Sequence, residues 1–472
     1  MKSFDLRLTA AIAAGKLAGF ASRSLHAGGG TNLPGSIARR VHATTLQDLS
    51  VRLPQGIVLI AGTNGKTTTA RMLAGLLSAS GQRVLHNRAG ANLLTGLTAT
   101  ALAGASLTGR PAATVGLFET DEAALPGAIA ETQPRLVVLH NLFRDQLDRY
   151  GEVDTIARNW RGALETLPAS ATVLLNADDP AVADLGADLT CRVCFYGLED
   201  TRHADATARH AADSQFCRRC GAPYQYRALF YAHIGQYACP VCGHQRPTPD
   251  YRLARLDLQG TMASRLFLTY PGGALELQLP LPGRYNALNA LAATAAALLL
   301  DVSPAVVRGT LEQFSAAFGR LERVQTEHHS LFLALIKNPV GASETLRMLV
   351  GDTADGSVSA GQLALLIIIN DRHADGTDVS WLWDAEFESL ADRAGQVVVS
   401  GTRASDMAVR LKYAGVMPER MIVEPDVVAA LDLALARLAP GLTLYVLPTY
   451  TAMLALRAEL ARRGWVRPFW QD

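Results

Sequence analysis

At 472 residues, with 49% hydrophobic and 18% charged side chains, the chain is too long for a single core and predicts about three domains. A net charge of +1 argues against broad electrostatic capture of nucleic acid, and no stretch reaches the length of a membrane span. The six cysteines form three C-x-x-C pairs. With no clean export signal at the N-terminus, that usage points to metal rather than disulfides.

Residues 5–25 read as an amphipathic helix, followed by a flexible turn from Gly28 to Gly35. The chain's central feature comes next. Ile57–Ala61 is a run of apolar β-formers that ends in Gly62-Thr63-Asn64-Gly65-Lys66-Thr67-Thr68-Thr69, and Ala70–Ser78 reads as helix. Strand, glycine-rich turn and helix N-terminus together make a phosphate cradle. Gly62 and Gly65 let backbone N–H groups approach phosphate oxygens. Lys66, read as an exposed loop lysine, can reach β- and γ-phosphates, and the Thr67 hydroxyl can ligate Mg²⁺.

Further strands are expected at Ala113–Phe118, Leu136–Leu139 and Thr172–Leu175, giving a parallel sheet with helices on both faces. Each ends in polar residues, where ligands of such sheets bind. Glu119 is the candidate Mg²⁺ ligand opposite Thr67; the alternative is a solvated acidic helix start spanning Glu119, Asp121 and Glu122. The turn from His140 to Gly151 is dense in polar side chains, with Asn141, Arg144, Asp145 and Asp148 foremost; Arg144 and Asp148 also suit a helix-surface ion pair. Asn176 to Pro180 reads either as an Asx turn with a helix cap at Asp179 or as a nucleotide contact.

Cys217-x-x-Cys220 and Cys239-x-x-Cys242 are 18 residues apart, the spacing of a zinc ribbon with a closed, structural Zn²⁺ site. Cys191 and Cys194 lie in a strand-like run and read as buried small hydrophobes. Tyr251–Leu279 returns to a β pattern suited to an antiparallel edge. Pro282 to Asn286 leads into a helix ending near Leu300, and Phe318 to Arg323 reads as a linker. A second α/β pattern follows, with strands at Leu331–Leu335, Leu363–Ile369, Gln396–Ser400 and Leu442–Leu447. Three turns after these strands are expected to share one face: Lys337 to Pro339, Asn370 to Asp384, and Thr449 to Thr451.

The Gly62–Thr68 loop, Glu119, the Asn141 turn, the Asn176–Pro180 turn, Gly283-Arg284-Tyr285-Asn286 with Asn289, and Gly319-Arg320 with Glu322 resemble the Mur ligase superfamily. Two positions depart from its common pattern: Gln146 and Tyr285 stand where many members have histidine. The Lys337, Asp378–Asp384 and Thr449 stretches, with the four-cysteine insertion, are similar to the MurT family within that superfamily.

The resemblance implies a P-loop α/β fold: an N-terminal helical lead-in (1–45), a central ATPase domain (46–318) with the ribbon inserted at 213–247, and a Rossmann-like C-terminal domain (319–472). It implies ATP, Mg²⁺ and Zn²⁺ as cofactors. ATP would contact Gly62, Thr63, Asn64, Gly65, Lys66, Thr67, Thr68, Asn141, Arg144, Asn176, Asp179 and Asn286, with Arg320 at a hinge that closes the site. The implied activity is amidation of the D-glutamate α-carboxylate in the lipid II stem peptide, through an acyl phosphate. It would take place in the cytoplasm at the inner membrane face, with ammonia from a GatD-like glutamine amidotransferase. No cysteine lies outside the three pairs, so the glutaminase nucleophile is expected on that partner. The family attributes a carboxylate of the partner's triad to the stretch matching Asp378–Asp384, with Asp384 first and Asp378 second. Competing readings are another Mur-type amide ligase acting on an amino acid or folate, and a zinc-ribbon nucleic-acid-binding NTPase.

Overall fold

The structure, a computed structural model, describes residues 5–24, 32–87, 91–144, 152–205, 213–315, 320–351 and 363–467. Three helices open the chain: α1 (Leu6–Ser24), α2 (Leu33–Val41) and α3 (Thr45–Ser50). The helix α2 takes in Leu33 to Gly35, which the sequence places in a flexible turn. Pro34 occupies the first helical turn, where its missing N–H costs nothing.

A large mixed sheet follows. Its elements in chain order are β1 (Ile57–Ala61), α4 (Lys66–Ala79), β2 (Val84–His86), α5 (Leu94–Ala103), β3 (Val115–Glu119), α6 (Leu125–Thr132), β4 (Leu136–Leu139), α7 (Glu152–Leu164), β5 (Thr172–Asn176), α8 (Pro180–Ala183) and β6 (Arg192–Leu198). The strands β7 (Gln225–Tyr231) and β8 (Ile234–Ala238) pair as a separate hairpin. Then come β9 (Tyr251–Gln259), β10 (Ala263–Tyr270), β11 (Gly273–Leu279), α9 (Arg284–Leu299) and α10 (Pro304–Leu311). The nine strands order as β11-β10-β9-β6-β5-β4-β1-β3-β2. They are parallel from β2 to β9, and β9, β10 and β11 form the expected antiparallel edge.

The strands β1, β3 and β4 are buried along their whole length. Sheets covered on both faces read as continuous apolar runs, and each fully buried leucine or valine contributes roughly 1.5–3 kcal/mol. The chain leaves β1 toward β3 and β2, then returns to β4 on the other side. The carboxyl ends of β1, β3 and β4 therefore flank a topological switch point, where such sheets place ligands.

The second sheet is built from β12 (Arg320–Gln325), β13 (Ser330–Ala334), α11 (Pro339–Val350), β14 (Leu363–Ile368), β15 (Ala394–Ser400), α12 (Ala404–Tyr413), β16 (Met421–Val423), α13 (Val427–Ala436), β17 (Thr443–Pro448) and α14 (Tyr450–Arg462). Its order is β12-β13-β17-β14-β15-β16, parallel except for the β12 edge. The segment expected as a linker up to Arg323 is thus a strand from Arg320 onward; its alternating charges suit an edge rather than a core.

Two ion pairs, the first buried and the second partly buried, join the two sheets' units. Arg284 of α9 meets Glu344 of α11 at 3.1 Å, and Arg347 of α11 meets Asp205 at 2.7 Å. Among the described residues no helix is long and apolar enough to cross a membrane.

Candidate functional site

The loop between β1 and α4 is shaped by two glycines with positive φ, +138° at Gly62 and +90° at Gly65. A Cβ on Gly65 would stand 2.2 Å from Asn289 Oδ1, and one on Gly62 would stand 2.8 Å from the Cβ of His140. Only glycine fits, and the loop runs directly into the N-terminus of α4, whose free N–H groups and dipole favour an anion.

The side chain of Lys66 is buried, contrary to its reading as an exposed loop lysine. It folds back to donate to the Gly62 carbonyl and pairs with Glu122 Oε1 at 3.1 Å. The Thr67 hydroxyl lies 3.0 and 2.8 Å from the two carboxylate oxygens of Glu119. Glu119 ends β3 and is buried, not a solvated helix start. Its backbone is clamped by Asn87, which accepts from the Glu119 N–H and donates to its carbonyl. A hydroxyl and a carboxylate held together beside a phosphate cradle are the donor set Mg²⁺ takes alongside phosphate oxygens, so these residues fit that ion.

The turn after β4 braces the phosphate loop. Asn141 Oδ1 accepts from Asn64 N–H at 2.8 Å, Asn141 Nδ2 donates to the Asn64 carbonyl at 3.2 Å, and Thr63 N–H donates to the Asn141 carbonyl at 3.0 Å. Thr63 Oγ1 exchanges hydrogen bonds with the backbone of Phe143. Arg144 pairs through backbone and side chain with Asp213 at the start of the insertion. Asp145, Gln146 and Asp148 lie outside the described residues.

Asp179 is fully buried and caps α8 through Ala181 and Val182. It also accepts from Leu142 N–H at 2.9 Å and sits 3.3 Å from His233 Nε2 in the insertion hairpin. Asn176 makes an Asx turn to Asp178 N–H at 3.0 Å. Both local turn readings of that stretch are therefore present.

A cleft of about 1030 Å³, open to solvent, lies between the two sheets' units. Asn64, Gly65, Thr68, Asn141, Asn176 and Asn286 line it, and the structure adds His140, Tyr196, Tyr285, Asn289, Lys337 and Glu344. Gly62, Thr63, Lys66, Thr67, Arg144 and Asp179 are not in its lining. Arg320 begins β12, next to Leu321 of the lining.

His140 is not among the site residues expected from the sequence; its place as the first residue after a buried strand is the available signal. Its Nδ1 is 2.8 Å from the Tyr196 hydroxyl, and its buried Nε2 has no partner among the described residues. Burial, with Lys66 nearby, pushes its pKa down to about 3, so the ring is neutral at pH 7.

In the insertion, the Sγ atoms of Cys217, Cys220, Cys239 and Cys242 all lie within 4.8 Å of one another. Four thiols so clustered match the donor set of a closed tetrahedral Zn²⁺ site. Burial opposes it, but backbone N–H groups of Arg219 and Cys220 bring the Cys217 thiol down to about 5. Cys191 and Cys194 are buried, as expected.

Two of the three expected C-terminal turns interlock. Asn370 donates from Nδ2 to Thr451 Oγ1 at 2.9 Å, and Asp375 accepts from Thr451 N–H at 2.7 Å. The third turn leaves the same carboxyl edge, where Ile336 N–H donates to the Pro448 carbonyl at 3.0 Å, and its Asn338 Nδ2 reaches on to Asn64 Oδ1 of the phosphate loop at 3.0 Å. Asp378 closes an Asx turn on Ser380, whose hydrogen bonds hold its carboxyl below the usual range. Asp384 is half-buried and ends the 3₁₀ turn Ser380–Trp383.

The Mur ligase middle domain family matches residues 60–297, and the MurT ligase C-terminal family matches residues 335–453. Subunit MurT of the lipid II isoglutaminyl synthase (glutamine-hydrolyzing) from Streptococcus pneumoniae (strain ATCC BAA-255 / R6) is 33% identical, over 98% of this chain and 99% of that protein. The same subunit from Staphylococcus aureus (strain N315) is 33% identical, over 97% and 98%. Among solved structures, a pseudomurein peptide ligase type C from Methanothermus fervidus superposes with a TM-score of 0.65 at 20% identity, covering 89% of this chain and 81% of that one. MurF from Acinetobacter baumannii gives 0.65 at 18%, covering 90% and 80%. These structures share the Mur ligase α/β fold, with its central and C-terminal α/β domains. Similarity along nearly the whole of both chains shows that the protein belongs to the MurT family of the Mur ligases.

Proposed function

We propose that the chain is the ATP-dependent synthetase of a two-subunit lipid II isoglutaminyl synthase in peptidoglycan synthesis. The observation that carries this reading is 33% identity to MurT subunits along the full length of both proteins. The phosphate cradle, with Thr67 held against Glu119, supports the ligase chemistry. A carboxylate oxygen of the stem-peptide D-glutamate attacks the γ-phosphorus of ATP. The bond to the bridging oxygen breaks, leaving an acyl phosphate and ADP. Ammonia then attacks the carbonyl carbon, phosphate departs, and a proton leaves the new amide.

In this reading the Gly62–Thr68 loop binds the triphosphate, and Lys66 swings from Glu122 to the phosphates. Thr67 and Glu119 would hold Mg²⁺, which supplies charge neutralisation of the phosphates. Asn141 keeps the loop in shape from behind. Asn176 and Asn286 line the nucleotide cleft, while Arg144 and Asp179 tie its floor to the insertion. Arg320 stands where residues 46–318 hand over to the closing unit, 319–472. The four cysteines would hold one structural Zn²⁺ in a ribbon that supports this floor. Ammonia comes from a GatD-like partner at the inner membrane face, with Asp384, or Asp378 in its place, completing the partner's catalytic set.

The test is product mass and ATP turnover with lipid II, glutamine and glutaminase, each omitted in turn. Amide should form only when all three and ATP are present, or when ammonium replaces glutamine and glutaminase. Transfer of an amino acid in place of ammonia would overturn the assignment in favour of another amide ligase.

A further inference from the structure

The helix α1 carries an apolar face that the described residues leave uncovered. Leu6, Leu17 and Phe20 are 72%, 69% and 66% exposed. At 3.6 residues per turn they fall within about 60° of one another. The opposite side, with Leu8, Ala11 and Ile12, is buried in the core. Isolated exposed leucines are ordinary, but a run of large apolar side chains along one helix marks a contact surface.

The charge around this face is one-sided although the chain as a whole is balanced at +1. The helices α1 and α2 contain Arg7, Lys16, Arg23, Arg39 and Arg40 and no acidic residue. Arg7 and Lys16 flank the apolar stripe on either side, the half-buried Lys16 donating to the Ala105 carbonyl at 2.5 Å, and Arg7 and Arg40 are exposed. The acidic groups nearby are Asp5, which receives the N–H groups of Arg7 and Leu8, Asp48, which pairs with His42 and lies within 4.8 Å of Asp5, and Glu131, which is paired with Arg39. An apolar stripe bordered by cations is the pattern of a helix lying in the interface of an anionic bilayer.

At the start of α2, Gly35 packs so closely on α5 that a Cβ there would stand 1.8 Å from the Thr95 carbonyl oxygen. The segment just before α5 bonds to the catalytic edge: Asn92 accepts from Asp121 N–H, and Asn87 bridges Ala91 to Glu119. Leu33 and Leu93, at the starts of α2 and α5, are each 48% exposed. Exposed apolar side chains thus border the carboxyl edge of the sheet that holds Thr67 and Glu119.

We propose that the outer face of α1 is a membrane-docking surface that seats the protein on an anionic bilayer, with the catalytic edge turned toward lipid-linked headgroups. This rests on the reading of the substrate as lipid-linked. A soluble precursor would need no such face.

Flotation of the full chain, alone and with its glutaminase, on substrate-free vesicles tests it. One vesicle set is phosphatidylcholine alone; the other contains phosphatidylglycerol as well. The chain should float with the anionic set. The paired change Leu17→Glu and Phe20→Glu should cut the bound fraction by about tenfold or more, with melting unchanged. Arg7→Glu with Arg40→Glu should weaken flotation on the anionic set only. Wild-type chain that stays at the bottom, a Leu17/Phe20 variant that floats equally, or flotation abolished by the glutaminase would each overturn the proposal; the last would assign the face to a protein partner. Amidation of a short-chain, water-soluble lipid II analogue separates the two readings. The Leu17/Phe20 variant should turn it over at the wild-type rate, whereas a wild-type chain that fails to amidate it would sink the functional reading instead.

Discussion

Asn338, at the start of α11, donates from Nδ2 to Oδ1 of Asn64 in the phosphate loop at 3.0 Å. Its own Oδ1 accepts from Gly341 N–H at 2.8 Å and caps α11. One side chain therefore both starts a helix of the C-terminal unit and fastens that unit to the loop that would hold ATP.

The two roles separate chemically. Asn338→Asp keeps an acceptor for the cap but has no donor for Asn64, whereas Asn338→Ala loses both. The Asp variant should keep its melting temperature while kcat/KM for ATP falls by about tenfold, as for one lost hydrogen bond. The Ala variant should in addition lose about 1 kcal/mol of stability. Unchanged ATP kinetics in both variants would show that this contact plays no part in closure.

Lys66→Ala should lower ATP-dependent amidation by roughly a hundredfold or more, because a positioned cation at the transferring phosphate is lost. Since Lys66 is buried against Glu122, the change also leaves a half-buried carboxylate without its partner. A modest stability loss, about 1 kcal/mol, is expected. Circular dichroism and steady-state turnover check both parts. Near-wild-type turnover would remove the loop from the chemistry.

Acid should destabilise the protein through His140. Its folded-state pKa of about 3 lies below the unfolded value, so the unfolded chain binds more protons between those values. The contribution is whole above the unfolded pKa and shrinks as pH falls below it. From pH 7.5 to pH 5 the loss should be about 2 kcal/mol. Urea midpoints at the two pH values measure it, and His140→Gln should flatten the difference. An equal slope in the variant would place the acid sensitivity elsewhere.

The four-cysteine cluster predicts one zinc per chain in protein purified without chelators. Cys242→Ser should lower the melting temperature by several degrees, since one missing thiolate weakens a structural site. The effect should reach the nucleotide cleft only moderately, through Asp213–Arg144 and His233–Asp179, and cost a few-fold in turnover. Absence of zinc by elemental analysis would contradict the ribbon.

The parts legible in the sequence are those whose physics is local. The strands Ile57–Ala61 and Leu136–Leu139 appear at their expected bounds, because strands covered on both faces must be unbroken apolar runs. The phosphate loop was legible for the same reason: glycine spacing is dictated by backbone geometry next door. The strand Val84–His86 was missed because three residues carry no period. Phe318–Arg323 reads as a linker although a strand begins at Arg320, because an edge strand tolerates arginine and glutamate. The burial of Lys66, the contact between Asn338 and Asn64, and the joining of His140 to Tyr196 all bring together residues distant in sequence or set by tertiary packing, which local pattern does not encode.

Asp384→Asn should sharply lower glutamine-driven amidation and spare the rate with high external ammonium, because the phosphate loop and Glu119 are untouched. Parallel loss of both rates, or loss of neither, would remove Asp384 from the partner's catalytic set.

The central claim, that the chain activates a carboxylate with ATP before ammonia attacks, is tested most directly by isotope transfer. Lipid II, or its soluble analogue, carrying heavy oxygen in the D-glutamate α-carboxylate is turned over with ATP and ammonium, and the released phosphate is analysed by mass. An acyl phosphate route places one labelled oxygen in each phosphate formed, in step with the amide produced. Amide formation with unlabelled phosphate would contradict it.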